Sequence, residues 1–426
     1  MIDRSLAPEI QPFHSFRPQA PHVDTLENGI PLYQFHNETL ELIHLQLDVR
    51  SGSMYEPKKH LALFTYGLLK GSHPHHTAAE MADLLDFYGS TFDADIYLDG
   101  VCLKIVVPKR NLPQLLPTLV EMMTTPSYRQ EYLDIIRQQR LQALRNNLKK
   151  NNFVASRLML QALLGNQCTA GVPASEATLN EITTDDLHCY HRANFCADNL
   201  TLYVTGQLDD ATSSLIRKHF GGIPRGARQE GLPLFQMPAD HTPLLNQEVE
   251  GSMQSSICLA MPHISYAEEM RTPFKVLSTL VGGYFGSRLM QCVREKLGYT
   301  YGIFSSSVYF GNQSIFSIQS DVDAAHTQES LDACFSELKR LQEEPVSHEE
   351  LQTVKTYMTG SVIQELSNSV SYMSKFAFWK NQHTDHTILQ ELWNTIQRTN
   401  AEDIMEMAKK CITHNKFTQI IVGKKL

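Results

Sequence analysis

Apolar residues recur at helical spacing in two distant stretches that match one another. Leu112, Leu116, Leu119 and Met122 share one helix face, and Leu331, Phe335, Leu338 and Leu341 repeat the spacing far along the chain. Each run is followed by a proline, Pro126 or Pro345, and then by a capping-box pattern, Ser127-x-x-Gln130 or Ser347-x-x-Glu350. A second pair of segments is TTDDLHCYHRANFCADNLTLYVTG and TNAEDIMEMAKKCITHNKFTQIIVG. Here Asp186, Leu187 and Gly206 fall opposite Asp403, Ile404 and Gly423, with the same separation for all three. Both segments predict a polar cap, a helix, and a strand stopped by glycine. A further helix is predicted from Thr77-x-x-Glu80 through Met81, Leu84, Leu85 and Tyr88 to Gly89, and YLDGVCLKIVVP predicts a strand run before the Leu112 helix.

Landmarks that keep nearly one offset predict one α+β unit used twice, each a mainly antiparallel sheet with helices packed on one face. The expected division is residues 1–222 and 244–426. A linker is expected over 223–243, inside the Gly- and Pro-rich stretch GGIPRGARQEGLPLFQMPADHTP.

Composition narrows the function classes. Of 426 residues, 42% are hydrophobic and 19% charged, which is the composition of a folded chain. A formal charge of −9 gives no reason to expect a nucleic-acid partner. No apolar run approaches the ~18–20 residues of a membrane span. MIDRSLAPEIQPFHSF lacks the basic start and apolar block of a secretory signal. The eight cysteines form no Cys-x-x-Cys pair, so free thiols and a cytoplasmic location are expected rather than a disulfide framework or a zinc ribbon.

The stretch LVGGYFGSRLMQCVREKLGYTYG, residues 280–302, carries the most specific pattern. A Gly-rich turn leads to Ser287, Arg288 and Leu289, then Arg294, Glu295 and Lys296, and Tyr301 stands seven residues after Arg294. Together with the repeat, Leu-Lys-Gly-Ser at 69–72 and the TLYVTG strand, it resembles the insulinase/pitrilysin-type zinc metallopeptidases, the inverzincins. The resemblance covers most of the chain. It implies two tandem α/β-roll domains forming half of a clam-shell. Such enzymes carry H-x-x-E-H on a helix, two histidines one turn apart for zinc and a glutamate to activate the bound water. Registered on Lys70-Gly71-Ser72, those positions hold Ala62, Thr65 and Tyr66, and the third ligand falls near Gln142–Ala143, where there is no carboxylate. None of these can do the required chemistry, and no other H-x-x-E-H occurs in the chain.

What the resemblance leaves is the opposite half of such an active site. Arg294 and Tyr301 would face a zinc held by another chain and donate to the oxyanion of peptide hydrolysis, with Arg294 also holding peptide carbonyls. The expectation is therefore a non-catalytic subunit that binds no zinc itself. It would pair with a homologous H-x-x-E-H subunit holding the zinc, act on peptides, and leave a homodimer open when the partner is missing. The alternative is an inert scaffold or assembly protein of the same fold. The resemblance also places Asp93 and Ile96 of STFDADIYL where the substrate edge strand of active relatives carries Asn and Thr, which speaks against substrate binding there.

Other candidates carry weaker signals. His73, His75 and His76 read as a solvent-facing turn around Pro74. His188 and His191 sit three apart on a helix whose Asp185 and Asp186 answer the helix dipole. His383 and His386 read as loop residues. Gly282, Gly283 and Gly286 lack the Gly-Lys-Ser/Thr of a phosphate cradle, and RQQRLQALRNNLKK reads as a solvated basic helix face.

Overall fold

The apolar-rich runs LIHLQLDV and VCLKIVVP pair antiparallel inside a six-stranded sheet. The computed structural model describes residues 20–231, 244–263, 269–311 and 313–424. The first sheet comprises β1 (His22–Thr25), β2 (Pro31–His36), β3 (Leu42–Val49), β4 (Thr91–Ile96), β5 (Val101–Pro108) and β6 (Leu200–Gly206). The second comprises β7 (Leu244–Glu248), β8 (Gln254–His263), β9 (Thr300–Phe310), β10 (Gln313–Asp323) and β11 (Thr418–Gly423). Their strand orders are β1-β2-β6-β3-β5-β4 and β7-β11-β8-β10-β9. Apart from β1, the two paths are the same. The first strand of each runs parallel to the last, and the other pairings are antiparallel. The architecture is mixed α+β, as the repeat implied.

Matching segments take matching conformations. Thr183 and Asp186 close a capping box on helix Thr184–Asn194, and Asn400 and Asp403 close one on helix Ala401–Cys411. Gly206 and Gly423 end their strands at φ +140° in both cases, which disfavours a side chain. A Cβ would lie 2.5 Å from the Leu42 carbonyl oxygen at Gly206 and 2.7 Å from that of Gln254 at Gly423. Gly206→Ala and Gly423→Ala should each cost about 1–3 kcal/mol from backbone strain alone. Urea denaturation checks this, and an unchanged midpoint for either would contradict it.

Helix Leu112–Thr124 buries Leu115, Leu116, Leu119 and Met122, and helix Thr327–Glu343 buries Leu331, Cys334, Leu338 and Leu341. The two halves also exchange helices. Asn151–Leu164 packs across β8 and β11 of the second sheet, with Val154, Ala155, Met159 and Leu163 against Cys258, Ala260, Ile420 and Val422. Its counterpart in the second half, Ser369–Asn381, lies over β2, β3 and β6 of the first sheet. There Tyr372 and Phe376 meet Phe35 edge-on, with ring centroids 5.5 and 5.4 Å apart. Each sheet thus packs against a helix from the other half, joining the halves through apolar burial.

Some local expectations differ from what forms. Ser127 does not cap helix Gln130–Asn147, because its hydroxyl donates to the carbonyls of Ser72 and His73. Ser347 does cap its helix, accepting from the Glu350 amide at 3.1 Å. The run at 97–108 becomes a strand only from Val101, residues 97–100 forming the β4–β5 turn. The helix from Thr77 closes its capping box as expected. Within the expected linker, residues 232–243 lie outside the described residues, as does the N-terminal stretch read for a signal. No helix among the described residues is long and apolar enough to cross a membrane.

Candidate functional site

Ala62, Thr65 and Tyr66 occupy helix Leu61–Gly67, and all three are buried. The Glu56 carboxylate caps this helix, accepting from the amides of His60 at 3.0 Å and Ala62 at 2.9 Å. Tyr128 donates to the Thr65 carbonyl oxygen at 3.0 Å, and the Tyr66 ring packs edge-on against Tyr190. Burial holds the Tyr66 phenol far above its usual pKa, so it stays neutral, a poor form for a metal ligand. Gln142 and Ala143 point to solvent on helix Gln130–Asn147. A buried methyl, hydroxyl and neutral phenol, with the fourth position facing outward, do not fit a zinc ion. Purified chain should accordingly carry well under one zinc per molecule by elemental analysis, and stoichiometric zinc would contradict this.

The motif at 280–302 divides into a structural part and an exposed part. Arg288 grips Glu350 through two hydrogen bonds of 2.7 and 3.0 Å, tying the Gly-rich turn to helix His348–Leu366. Ser287 and Leu289 are buried. Gly282 lets the turn approach β9, since a Cβ there would lie 2.6 Å from the Ser305 amide nitrogen. The Gly-rich stretch thus serves a close backbone approach and not an anion.

Arg294 and Tyr301 lie beyond that anchor. Arg294 sits in a π-helical turn, Met290–Lys296, with 29% of its side chain exposed, paired with Glu295 and held 4.2 Å over the Phe285 ring. Tyr301 is 91% exposed on β9, the edge strand of the second sheet, so it is not a core residue. No hydrogen bond joins the two among the described residues. Phe285, exposed beneath the Arg294 guanidinium, forms with it an aromatic and cationic contact that the pattern of residue types did not disclose.

The histidines resolve individually. His191 is buried and its Nε2 lies 2.8 Å from the Met123 carbonyl oxygen, while the His188 ring packs edge-on against Tyr128. His383 and His386 flank Asp385, whose carboxylate accepts from the Thr387 amide at 2.8 Å. His73 departs from the expected solvent-facing turn. It is buried at 1% exposure, its Nδ1 accepting from the His75 amide and its Nε2 3.3 Å from Glu121. The basic stretch is solvated at Arg145, which pairs with Glu176, but Arg137 turns inward to the carbonyls of Leu179 and Ile182. Asp93 is exposed and Ile96 half-buried on edge strand β4.

Burial holds the His191 pKa at about 4, against about 6.5 when unfolded. The unfolded chain therefore binds the extra proton between pH 6.5 and 4, and stability falls as pH drops through that window. In His191→Gln the fall should be shallower by up to about 1.4 kcal/mol per pH unit. Urea titrations at pH 6 and pH 4.5 measure it, and an unchanged slope would show that His191 does not carry the effect.

Residues 181–358 match the family described as Peptidase M16 inactive domain, a span running from helix Thr184–Asn194 into helix His348–Leu366. Relatives align over nearly the whole length. The uncharacterized zinc protease YmxG of Bacillus subtilis is 22% identical over 402 residues, 93% of this chain and 97% of its own. The chain is similar to M16 peptidase-family proteins along most of its length, and over residues 181–358 to their inactive domain. The chain also aligns with the Helicobacter pylori protein named non-peptidase homolog YmxG, at 22% identity over 95% of this chain and 94% of that one. A crystal structure of a peptidase M16 inactive domain from Pseudomonas fluorescens superposes with a TM-score of 0.86 at 19% identity. It covers 95% of this chain and 98% of its own. Helix Leu61–Gly67, where the resemblance places the zinc-binding positions, has Ala62, Thr65 and Tyr66 buried in the core.

Proposed function

We propose that this M16 homologue is the non-catalytic subunit of a two-chain zinc peptidase. It supplies Arg294 and Tyr301 to a homologous partner that bears H-x-x-E-H. The observation that carries this reading is the contrast between the two motifs. The metal-helix positions are closed into the core, while Arg294 and Tyr301 stand at the surface, with Arg288–Glu350 fixing the turn beneath them. Peptide hydrolysis places negative charge on the carbonyl oxygen of the tetrahedral intermediate, and a guanidinium and a phenol are donors suited to it. Arg294 would hold the peptide carbonyl, and Tyr301 would add a hydrogen bond that strengthens as charge develops. No step of the chemistry passes through a metal in this chain.

Eight cysteines free of disulfides support a reducing compartment, in keeping with a cytoplasmic peptidase. The test is copurification with a homologous H-x-x-E-H chain, followed by a fluorogenic peptide assay of each chain and of the mixture. A stable complex without turnover, in which the partner's zinc is present, would favour the scaffold reading instead.

A further inference from the structure

A cavity of about 1380 Å³ opens between the first sheet and the helices of the second half, and neither Arg294 nor Tyr301 lines it. Its origin is a break in the repeat. Thr201 and Tyr203 of β6 match Thr418 and Ile420 of β11 at the offset that relates Gly206 to Gly423. The β3 partners of the first pair are Asp48 and Gln46, and the β8 partners of the second are Ala260 and Cys258. Helix Asn151–Leu164 therefore finds an apolar surface to seal on the second sheet. Helix Ser369–Asn381 faces polar groups at the equivalent places, and the space beside it stays open.

The charges around this space are unequal. Lys275, on helix Arg271–Ser278, is exposed to the cavity yet surrounded by protein, and burial and the neighbouring Lys375 lower its pKa. Its ammonium makes no hydrogen bond or ion pair with any described residue. Lys375 already holds Glu365 at 3.1 Å, so one carboxylate serves two ammonium groups. The other acidic groups nearby are committed. Asp48 accepts from Gln46 at 2.9 Å and Asn381 at 2.8 Å, and Asp99 accepts from the Gly311 amide at 3.0 Å. Arg50 and Lys380 add further positive charge to the lining, in a chain of formal charge −9. An ammonium in such a place that shares one carboxylate with a second ammonium is under-compensated until a further anion pairs with it.

We propose that this cavity binds an acidic peptide segment, seating a carboxylate between Lys275 and Lys375. The volume exceeds the ~300–1,000 Å³ of small-molecule pockets and suits several residues of extended peptide. The inference rests on the peptide-handling role proposed above and narrows it to acidic substrates.

The test uses the full chain and two decapeptides carrying an uncharged dye, one Glu-rich and one Lys-rich, read by fluorescence anisotropy at low salt. The Glu-rich peptide should bind at least about tenfold more tightly, and the preference should weaken as salt rises. Lys275→Met keeps the stem and removes the charge. It should lose about tenfold in affinity for the Glu-rich peptide, while its melting temperature holds or rises because an unpaired ammonium has gone. Equal affinity for the two peptides, no binding of either, or a Lys275→Met variant that binds as wild type would each overturn the inference. The outcomes separate from those of the proposed function. An inactive two-chain mixture would leave Glu-rich binding by the single chain intact, whereas loss of the acidic preference would leave turnover of other peptides intact.

Discussion

Arg294→Ala is expected to lower peptide turnover by the reconstituted pair about 100- to 1000-fold, the range found when one oxyanion donor is removed. Stability should barely change. The guanidinium makes an exposed pair with Glu295 and a cation–π contact with Phe285, together worth roughly 1–2 kcal/mol at such surface sites. Tyr301→Phe removes a single hydroxyl from a ring that is almost wholly exposed. It should cost turnover, by a smaller factor, and leave the melting curve unmoved. If both groups act on developing charge, the loss appears in kcat more than in KM. A loss confined to KM would make them binding residues alone, and unchanged turnover in both variants would remove them from the chemistry.

Arg288→Ala should produce the largest loss of stability among the motif residues. Arg288 is 11% exposed and Glu350 24%, and two charge-assisted bonds join them. Removing one partner leaves a largely buried carboxylate uncompensated, for which about 3–5 kcal/mol is typical. The partial exposure of Glu350 argues for the lower end of that range. Because this pair fixes the turn on which Arg294 follows, activity should fall along with stability. Arg288→Met combined with Glu350→Leu should recover most of the unfolding free energy. Urea unfolding of the three proteins measures it. A loss under about 0.5 kcal/mol for Arg288→Ala would show that the pair is dispensable.

The repeat was legible because it is written in local chemistry. Capping residues Thr183 and Asp186, the apolar face from Leu112 to Met122, and the strand-ending Gly206 each specify a local conformation, and each has a counterpart in the second half. The expectation of no zinc at Ala62 rests on equally local chemistry, since its side chain has no donor atom whatever surrounds it. The exchange of helices Asn151–Leu164 and Ser369–Asn381 was not legible. Periodicity shows that a face is apolar, but not which sheet will cover it. Ser127 carried a valid capping pattern, yet the nearby carbonyls of Ser72 and His73 took its hydroxyl. His73 likewise looked like a turn residue until folding brought Glu121 to it from helix Leu112–Thr124. The cavity depends on which β3 residues lie opposite β6, a matter of register that no single segment encodes.

The most direct measurement is a fluorogenic peptide assay of this chain, of a homologous H-x-x-E-H chain, and of the two mixed at equal concentration with zinc present. The expected result is little or no turnover by either chain alone, turnover by the mixture, and zinc found in the partner. Turnover by this chain alone, or full activity of the partner without it, would contradict the division of labour between the two.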